Sequence, residues 1–333
     1  MLQLPAKIGK YELQDFLGGG MSHVYRAQDT VLGRQVAVKV LTQQGVSDPE
    51  AKARFLQEAR VASQISHQNI ISVFDFGEEG GKPFMVMEFL QGESLRDAMK
   101  NHHIGDLNRK LSLALQIGRG LEHIHQKKII HRDIKPENIQ IDASGKIKLM
   151  DFGIAKSEGL SLTRAGFTLG TPYYMAPEQV LGQQVTHSVD IYAFGVMLYE
   201  MLVGAKPISG ETVEKIFSAI LYEPLNMVPL QGANVPESVF KLVAACTAKN
   251  AAERPESFSV VCSELERILQ NPSASGKSQI KVPANPAGDG DMPAWVRSLP
   301  PFLQSQGGLM ALTGFGVLLA LSILGFIAFQ FMK

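Results

Sequence analysis

Residues 129–141 read IIHRDIKPENIQI. This stretch sets charged and polar side chains between apolar flanks that are typical of buried strands. Burying such groups without partners is costly, so the pattern indicates a functional site rather than ordinary core. A second stretch, IKLMDFGIAK at residues 147–156, repeats the arrangement with Asp151 directly after a strand-like run.

A lysine far upstream completes the pattern of a phosphate site. Lys39 ends the strand-like segment VAVK at residues 36–39, where a single lysine is usually a surface residue. Together with acids at the ends of two strands, a lysine suits bound Mg²⁺ and phosphate, because hard cations prefer oxygen ligands.

Hydrophobic patterning on either side of these motifs predicts two unequal lobes. Residues 10–88 contain short alternating segments and one helix, PEAKARFLQEARVASQI at 49–65, whereas residues 92–270 mostly repeat apolar side chains at helical spacing. The predicted fold class is therefore α+β, with a small sheet lobe and a larger helical lobe joined near residues 88–92. Such junctions are common places for pockets.

Taken in order, these motifs resemble those of the protein kinases over residues 10–270. The resemblance implies a bilobal kinase fold with an antiparallel sheet in the small lobe. It also implies that Lys39 binds the ATP phosphates and pairs with Glu58, that Asp133 is the catalytic base, and that Asn138 and Asp151 hold Mg²⁺. In the large lobe it assigns the segment GTPYYMAPE at 170–178 to the end of the activation loop, and Asp190, Arg254 and Glu178 to structural anchors, the last two as an ion pair.

The resemblance further implies an ATP site between the lobes, with Mn²⁺ as the alternative to Mg²⁺. Met87 matches the position that borders the adenine pocket, and Glu93 is expected to reach the ribose. The full set of expected ATP-binding residues is Leu17, Gly18, Gly19, Gly20, Ser22, Val24, Ala37, Lys39, Met87, Glu88, Leu90 and Glu93.

The glycine run FLGGGMSHVY at residues 16–25 departs from the family pattern. Anchoring that pattern on Val24 places Gly19 and Ser22 at its second and third glycines, but Leu17 at the first. We expect a loop one residue short, with an altered grip of its backbone amides on phosphate and an unusual affinity for ATP.

Substrate class and regulation also follow from the resemblance. Lys135 and Thr171 resemble residues that mark serine/threonine kinases, so protein serine and threonine hydroxyls are the expected acceptors. Arg132 resembles the arginine that binds a phosphate on the activation loop. Thr163 and Thr168 are the expected autophosphorylation sites, although for each residue taken alone an ordinary polar loop residue is the favoured interpretation.

Charge and cysteine content exclude other classes of protein. The 32 basic and 32 acidic side chains cancel without forming blocks, so no nucleic-acid partner is predicted. Cys246 and Cys262 are too few for a disulfide framework, which suits a reducing compartment. His123 and His125 are two apart on a predicted helix and point in different directions, so they do not predict a metal site.

The carboxy-terminal region predicts membrane attachment. Residues 271–306 are rich in proline and are expected to form a linker, and residues 307–331 contain no charge and are long enough to span a bilayer as a helix. With tails at 1–9 and 332–333 and no signal peptide, we expect a single-pass protein anchored in lipid at its C-terminus, with a cytoplasmic kinase domain. Small residues in the span favour a homodimer and lipid-facing packing about equally.

Three functional interpretations remain open from the sequence. The segment GGMSHVY and the short large-lobe insertions resemble bacterial, membrane-anchored serine/threonine kinases of the eukaryotic-like, or Hanks, type. A membrane-tethered pseudokinase that binds nucleotide without catalysis is the alternative, favoured only by the unusual glycine loop. Phosphorylation of a small molecule is the third, and the segment at 170–178 disfavours it because it resembles a platform for protein substrates.

Overall fold

The computed structural model describes residues 4–151, 172–233, 235–271 and 280. Two lobes are present among them, the first built on an antiparallel sheet and the second on helices. The bilobal α+β architecture expected from the sequence is confirmed. The activation-loop residues Thr163, Thr168 and Thr171, and the span at 307–331, lie outside the described residues.

The small lobe is a six-stranded antiparallel sheet in the order β1-β2-β3-β4-β6-β5. Its strands are β1 Ala6–Ile8, β2 Tyr11–Gly19, β3 Ser22–Asp29, β4 Arg34–Leu41, β5 Val73–Glu79 and β6 Lys82–Glu88. β4 lies inside the sheet, and its residues from Val36 to Leu41 are buried, which explains its nearly continuous apolar sequence.

Two helices, rather than the one expected, connect β4 to β5. The short α1, Gln43–Ser47, begins after Thr42, whose hydroxyl accepts a hydrogen bond from the Gly45 N–H. The longer α2, Pro49–Ala62, begins after Asp48, whose carboxylate accepts bonds from two N–H groups of the first turn. The sequence signal for α1 is weak because the helix has only five residues.

The large lobe is mainly helical. Its helices are α3 Leu95–Lys100, α4 Leu107–Gln126, α5 Pro177–Val180, α6 Ser188–Val203, α7 Val213–Tyr222, α8 Val228–Gly232, α9 Glu237–Cys246 and α10 Phe258–Gln270. A three-stranded sheet of β7 Gly92–Ser94, β8 Ile139–Asp142 and β9 Ile147–Leu149 lies beside them. α6 is buried on every side, with α4, α8 and α9 packed around it, so it serves as the central support of this lobe.

The structure changes both expected ends of the kinase domain. β1 pairs with β2 from Ala6 to Ile8, so the sheet begins inside the segment expected to be an N-terminal tail. Ile280, inside the expected linker, is 8% exposed and packs into the large-lobe core. The burial of Ile8 and Ile280 comes from tertiary contact, which local sequence patterns do not reveal.

One finding bears on the expected membrane anchor. Among the described residues, no helix combines the length and the apolar character needed to cross a bilayer.

Candidate active site

Lys39, Glu58 and Asp151 form one charged cluster between the lobes. The Lys39 ammonium donates to Glu58 Oε1 at 2.8 Å and to Asp151 Oδ1 at 2.7 Å. These residues come from β4, α2 and the position after β9, separated by up to 112 residues in sequence. The ion pair expected between Lys39 and Glu58 is therefore present.

The cluster contains one amine and two carboxyl groups, and the pKa values of the two carboxyl groups are shifted in opposite directions. Burial alone would lower the pKa of Lys39, but the charges of Asp151 and Glu58 outweigh it and raise that pKa. Burial raises the pKa of Glu58 to about 7, with Lys39 opposing and Asp151 adding to the effect. The charge of Lys39 lowers the pKa of Asp151. Asp151 is thus the carboxylate that stays ionised, and half of its side chain is exposed.

Asp133 lies in the loop between α4 and β8, held by two neighbours that the sequence also predicted. Lys135 Nζ donates to Asp133 Oδ2 at 2.8 Å. The Asn138 amide donates to the Asp133 backbone carbonyl at 2.8 Å and to its Oδ2 at 3.0 Å. A 3-10 turn at Pro136–Asn138 brings Asn138 back toward Asp133. The carboxylate is therefore fixed in orientation, as a general base requires.

The same loop is also held by Asp190, at the buried start of α6. Asp190 accepts hydrogen bonds from the backbone N–H groups of His131 and Arg132, both at 2.8 Å, and contacts His125 Nε2 at 2.8 Å. Arg132 has a φ of +65°, and Asp151 a φ of +50°. Non-glycine residues are uncommon in this region and are often found at functional sites.

The donor set suits Mg²⁺. Asp151 offers a partly exposed ionised carboxylate, and Asn138 uses its amide nitrogen in the bonds to Asp133, which leaves its amide oxygen for a ligand. Hard divalent cations prefer such oxygen ligands. Both residues therefore fit the metal-binding role expected from the sequence.

The glycine loop forms a tight hairpin between β2 and β3. Gly19 pairs with His23, and Gly20 and Met21 form the tip, where the Met21 carbonyl accepts bonds from the backbone N–H and the hydroxyl of Thr42. A Cβ on Gly19, whose φ is +131°, would lie 2.0 Å from the Ser22 carbonyl oxygen, so only glycine fits there. β2 has one residue more than β3 at Leu17, where the pairing register shifts, so the hairpin closes through a bulge.

The side chains expected around adenine lie together on the face of the sheet toward the large lobe. Ala37 is paired with Met87 across β4 and β6, and both are buried in one apolar cluster that also contacts Val24 and Leu90. This is a suitable lining for a flat apolar ring.

Two of the expected ATP-binding residues have other partners in the structure. Glu88 Oε1 accepts from the Ser72 N–H at 3.0 Å and from Lys148 Nζ at 2.7 Å, which leaves adenine contacts at this position to its backbone. Glu93, expected at the ribose, contacts His103 Nδ1 through Oε1 at 2.8 Å. Its role in ribose binding stays a prediction.

The expected anchor pair of the large lobe is present and closed. Arg254 donates to both oxygens of Glu178, at 2.6 and 2.9 Å. Its remaining N–H groups donate to the carbonyls of Ser188, Ala248 and Lys249, so all five donors are used.

One network at the site was missed from the sequence. Arg96 of α3 donates to Glu137, beside Asn138, at 2.8 Å and to Glu200 of α6 at 2.7 Å. Tyr174, from the 170–178 segment, lies 2.5 Å from both Arg96 Nη2 and Glu200 Oε2. Glu200 is a buried carboxylate in the mostly apolar helix α6, and a carboxylate there requires a cationic partner, which was the available signal.

Comparison with known proteins agrees with this geometry. The family model described as "Protein kinase domain" matches residues 11–266, more than three quarters of the chain. The chain belongs to the protein kinase family. Within that family its curated relatives include serine/threonine-protein kinases of bacteria.

Three relatives illustrate the similarity. Serine/threonine-protein kinase PrkC of Bacillus subtilis is 38% identical over 252 residues, covering 74% of this chain and 39% of PrkC. Serine/threonine-protein kinase PknA of Mycobacterium tuberculosis is 38% identical over 253 residues, covering 74% of this chain and 58% of PknA. The DNA damage-responsive serine/threonine-protein kinase RqkA of Deinococcus radiodurans is 40% identical over 256 residues, covering 75% of this chain and 38% of RqkA. The chain thus spans between about two fifths and three fifths of their lengths.

Proposed function

We propose that this protein is a serine/threonine protein kinase that uses Mg²⁺ and ATP. The observation that carries the proposal is the assembly of Lys39, Glu58 and Asp151 in one cluster, with Asp133, Lys135 and Asn138 forming another in the same active site. Phosphoryl transfer depends mainly on positioning and on charge stabilisation, and these are the groups that supply both.

Each residue has a chemical task in the proposed reaction. Asp133 orients the acceptor hydroxyl and takes its proton as that oxygen bonds to the γ-phosphorus and the bond to ADP breaks. Lys39 binds the phosphates in the orientation set by Glu58, and Lys135, beside Asp133, lies where it can contact the transferred group. Asp151 and Asn138 would hold Mg²⁺, which neutralises phosphate charge.

The test is transfer of labelled γ-phosphate to a mixed protein substrate, followed by phosphoamino-acid analysis. We expect phosphoserine and phosphothreonine from the wild type, and a loss of about 100-fold to 10,000-fold in Asp133→Asn, the range for a general base. Mg-ATP binding without transfer would instead support the pseudokinase. Phosphotyrosine as the main product would refute the acceptor class.

We further infer activation by autophosphorylation at Thr163 or Thr168. The support is the position of Arg132, which directly precedes the proposed catalytic base Asp133 and has a φ of +65°. A phosphate on the loop would accept charge-assisted hydrogen bonds from its guanidinium. Intact mass after incubation with Mg-ATP should rise in the wild type, and should stay constant when both threonines are alanine.

Attachment to the membrane through residues 307–331 is also proposed, with the kinase domain in the cytoplasm. Its support is the uncharged sequence of that segment and the location of ATP in the cytosol. Arginine at both Leu318 and Leu319 should shift the full chain from the membrane fraction to the soluble one, because each costs about 3 kcal/mol at a span centre. Unchanged fractionation would contradict the anchor.

A further inference from the structure

Arg96 connects segments that lie around the acceptor side of the active site. Glu137 is four residues beyond Asp133, within the turn that positions Asn138. Tyr174 belongs to the segment whose resemblance suggested a platform for protein substrates. One guanidinium therefore bridges the catalytic loop, that platform and the central helix α6.

The burial of the two carboxylates differs. Glu200 is 4% exposed and is bound on both oxygens, by Arg96 Nη1 at 2.7 Å and by the Tyr174 hydroxyl at 2.5 Å. The side chain of Glu137 is 40% exposed and is bound by Arg96 Nε at 2.8 Å. Arg96 is thus the cation that both carboxylates share, and Glu137 is the more exposed of the two.

The protonation states agree with a fixed arrangement. Burial raises the pKa of Tyr174, and the charge of Glu200 raises it further, so the phenol stays protonated and donates to Glu200. Burial of Arg96 would lower its pKa, but the hydrogen bonds to Glu200 and Glu137 outweigh this effect and raise it.

We propose that Arg96 determines substrate specificity, by occupying from within the chain the acidic position that a basic residue of a substrate would otherwise bind. The inference rests on the proposed kinase function and extends it to the substrate class. The acceptor sequences of this protein should therefore need no arginine or lysine beside the serine or threonine.

The physical reason is that Arg96 already forms ion pairs with the carboxylates of Glu137 and Glu200. A substrate arginine entering here would meet the guanidinium of Arg96 and would lose hydration without gaining an unpaired carboxylate. Arginine suits this role better than lysine because its planar fork binds two carboxylates at once. Removing Arg96 should therefore create a preference for basic substrates rather than only reduce activity.

The experiment compares kcat/KM for pairs of peptides that differ by arginine or glutamine at single positions flanking one serine. Wild type should give arginine-to-glutamine ratios within about threefold at every position. Arg96→Gln should raise the ratio about tenfold at one position, mainly through KM, as expected for a new charge-assisted hydrogen bond. Adding Glu137→Gln to that variant should return the ratio toward the wild-type value.

A matched control is Arg119 of α4, which is not part of the Arg96 network. Arg119 forms a 2.8 Å ion pair with Glu266, and both side chains are more than 40% exposed. Arg119→Gln removes the same charge from the protein and should leave every ratio within threefold of wild type. A similar rise in this control would attribute the effect to net charge and would overturn the assignment to Arg96.

Two further readouts keep the inference testable if Arg96→Gln does not fold. A wild-type ratio above tenfold at any position would overturn it directly. Glu137→Gln alone, a change at a partly exposed side chain, should keep the ratios within threefold, and a tenfold change would contradict the assignment. If wild type phosphorylates no peptide or protein, the kinase proposal itself fails, whereas transfer with the wrong ratios refutes only the role of Arg96.

Discussion

The Lys39 cluster and the Arg254–Glu178 pair are both buried ion pairs between distant parts of the chain, but they are built differently. The side chain of Arg254 is 0% exposed, and every N–H donor of its guanidinium has an acceptor. The Lys39 cluster contains two carboxyl groups for one ammonium, and half of the Asp151 side chain faces solvent.

This difference separates a structural ion pair from a ligand-binding cluster. A closed pair with matched charges holds segments together, and removing one partner leaves a buried charge without compensation. An open cluster with an excess carboxylate is incomplete until a cation binds, so its members contribute to binding and chemistry rather than to stability.

The largest effect is expected for Arg254→Met. This change leaves Glu178 charged and buried, and should lower the free energy of unfolding by about 3–5 kcal/mol. Chemical denaturation of the purified protein measures the loss. The control is Arg119→Gln, which breaks an exposed pair and should cost at most about 1 kcal/mol. Equal losses in the two variants would mean that the closed pair has no special structural role.

For Glu58→Gln we expect the opposite result, a loss of phosphate transfer with little loss of stability. Lys39 keeps its contact with Asp151 but loses the partner that orients it toward phosphate, so transfer should fall about 10-fold to 100-fold. Stability should remain close to wild type, because the substitution removes a carboxylate from a cluster that has one in excess. Steady-state kinetics and denaturation on the same sample test both statements, and a large loss of stability without loss of rate would refute the comparison.

The smallest effect concerns a histidine contact near the junction of the lobes. His67, in the loop after α2, stacks on His123 of α4 at 4.9 Å and accepts the Asn69 N–H on Nδ1 at 3.1 Å. Burial lowers the pKa of His67 below its ordinary value of 6.5, and His123, Lys148 and Arg119 lower it further.

The lowered pKa of His67 predicts that the free energy of unfolding falls in acid. The folded state binds this proton less readily than the unfolded state, so the stability is fully present above pH 6.5 and is lost as the pH falls. We expect a loss of about 1 kcal/mol, roughly one hydrogen bond, that is reduced in His67→Gln. Denaturation at pH 7.5 and 5.5 tests this, with the exposed His103→Gln as the control. An unchanged pH dependence in His67→Gln would exclude this contact as its source.

Local sequence motifs predicted the fold class and most of the active-site residues. The HRDIKPEN and DFG stretches, the strand lysine and the alternating segments were sufficient for the bilobal fold and for the side chains that meet at Asp133 and Asp151. Sequence patterns missed β1 and α1 because elements of three and five residues carry too little periodicity.

The Arg96 network illustrates a different limit. In the sequence, Arg96 is 104 residues from Glu200 and 78 residues from Tyr174. Only tertiary packing brings these side chains together. The glycine loop is a third case, because the bulge at Leu17 depends on the register between β2 and β3 rather than on the glycines.

The most direct test of the comparison is Asp151→Asn, measured both for γ-phosphate transfer from labelled Mg-ATP and for the free energy of unfolding. Asp151 is the open member of the cluster, so transfer should fall at least about 100-fold while the unfolding free energy stays within about 1 kcal/mol of wild type. Transfer within tenfold of wild type, or a loss of stability as large as that of Arg254→Met, would contradict the assignment of this cluster to phosphate and metal binding.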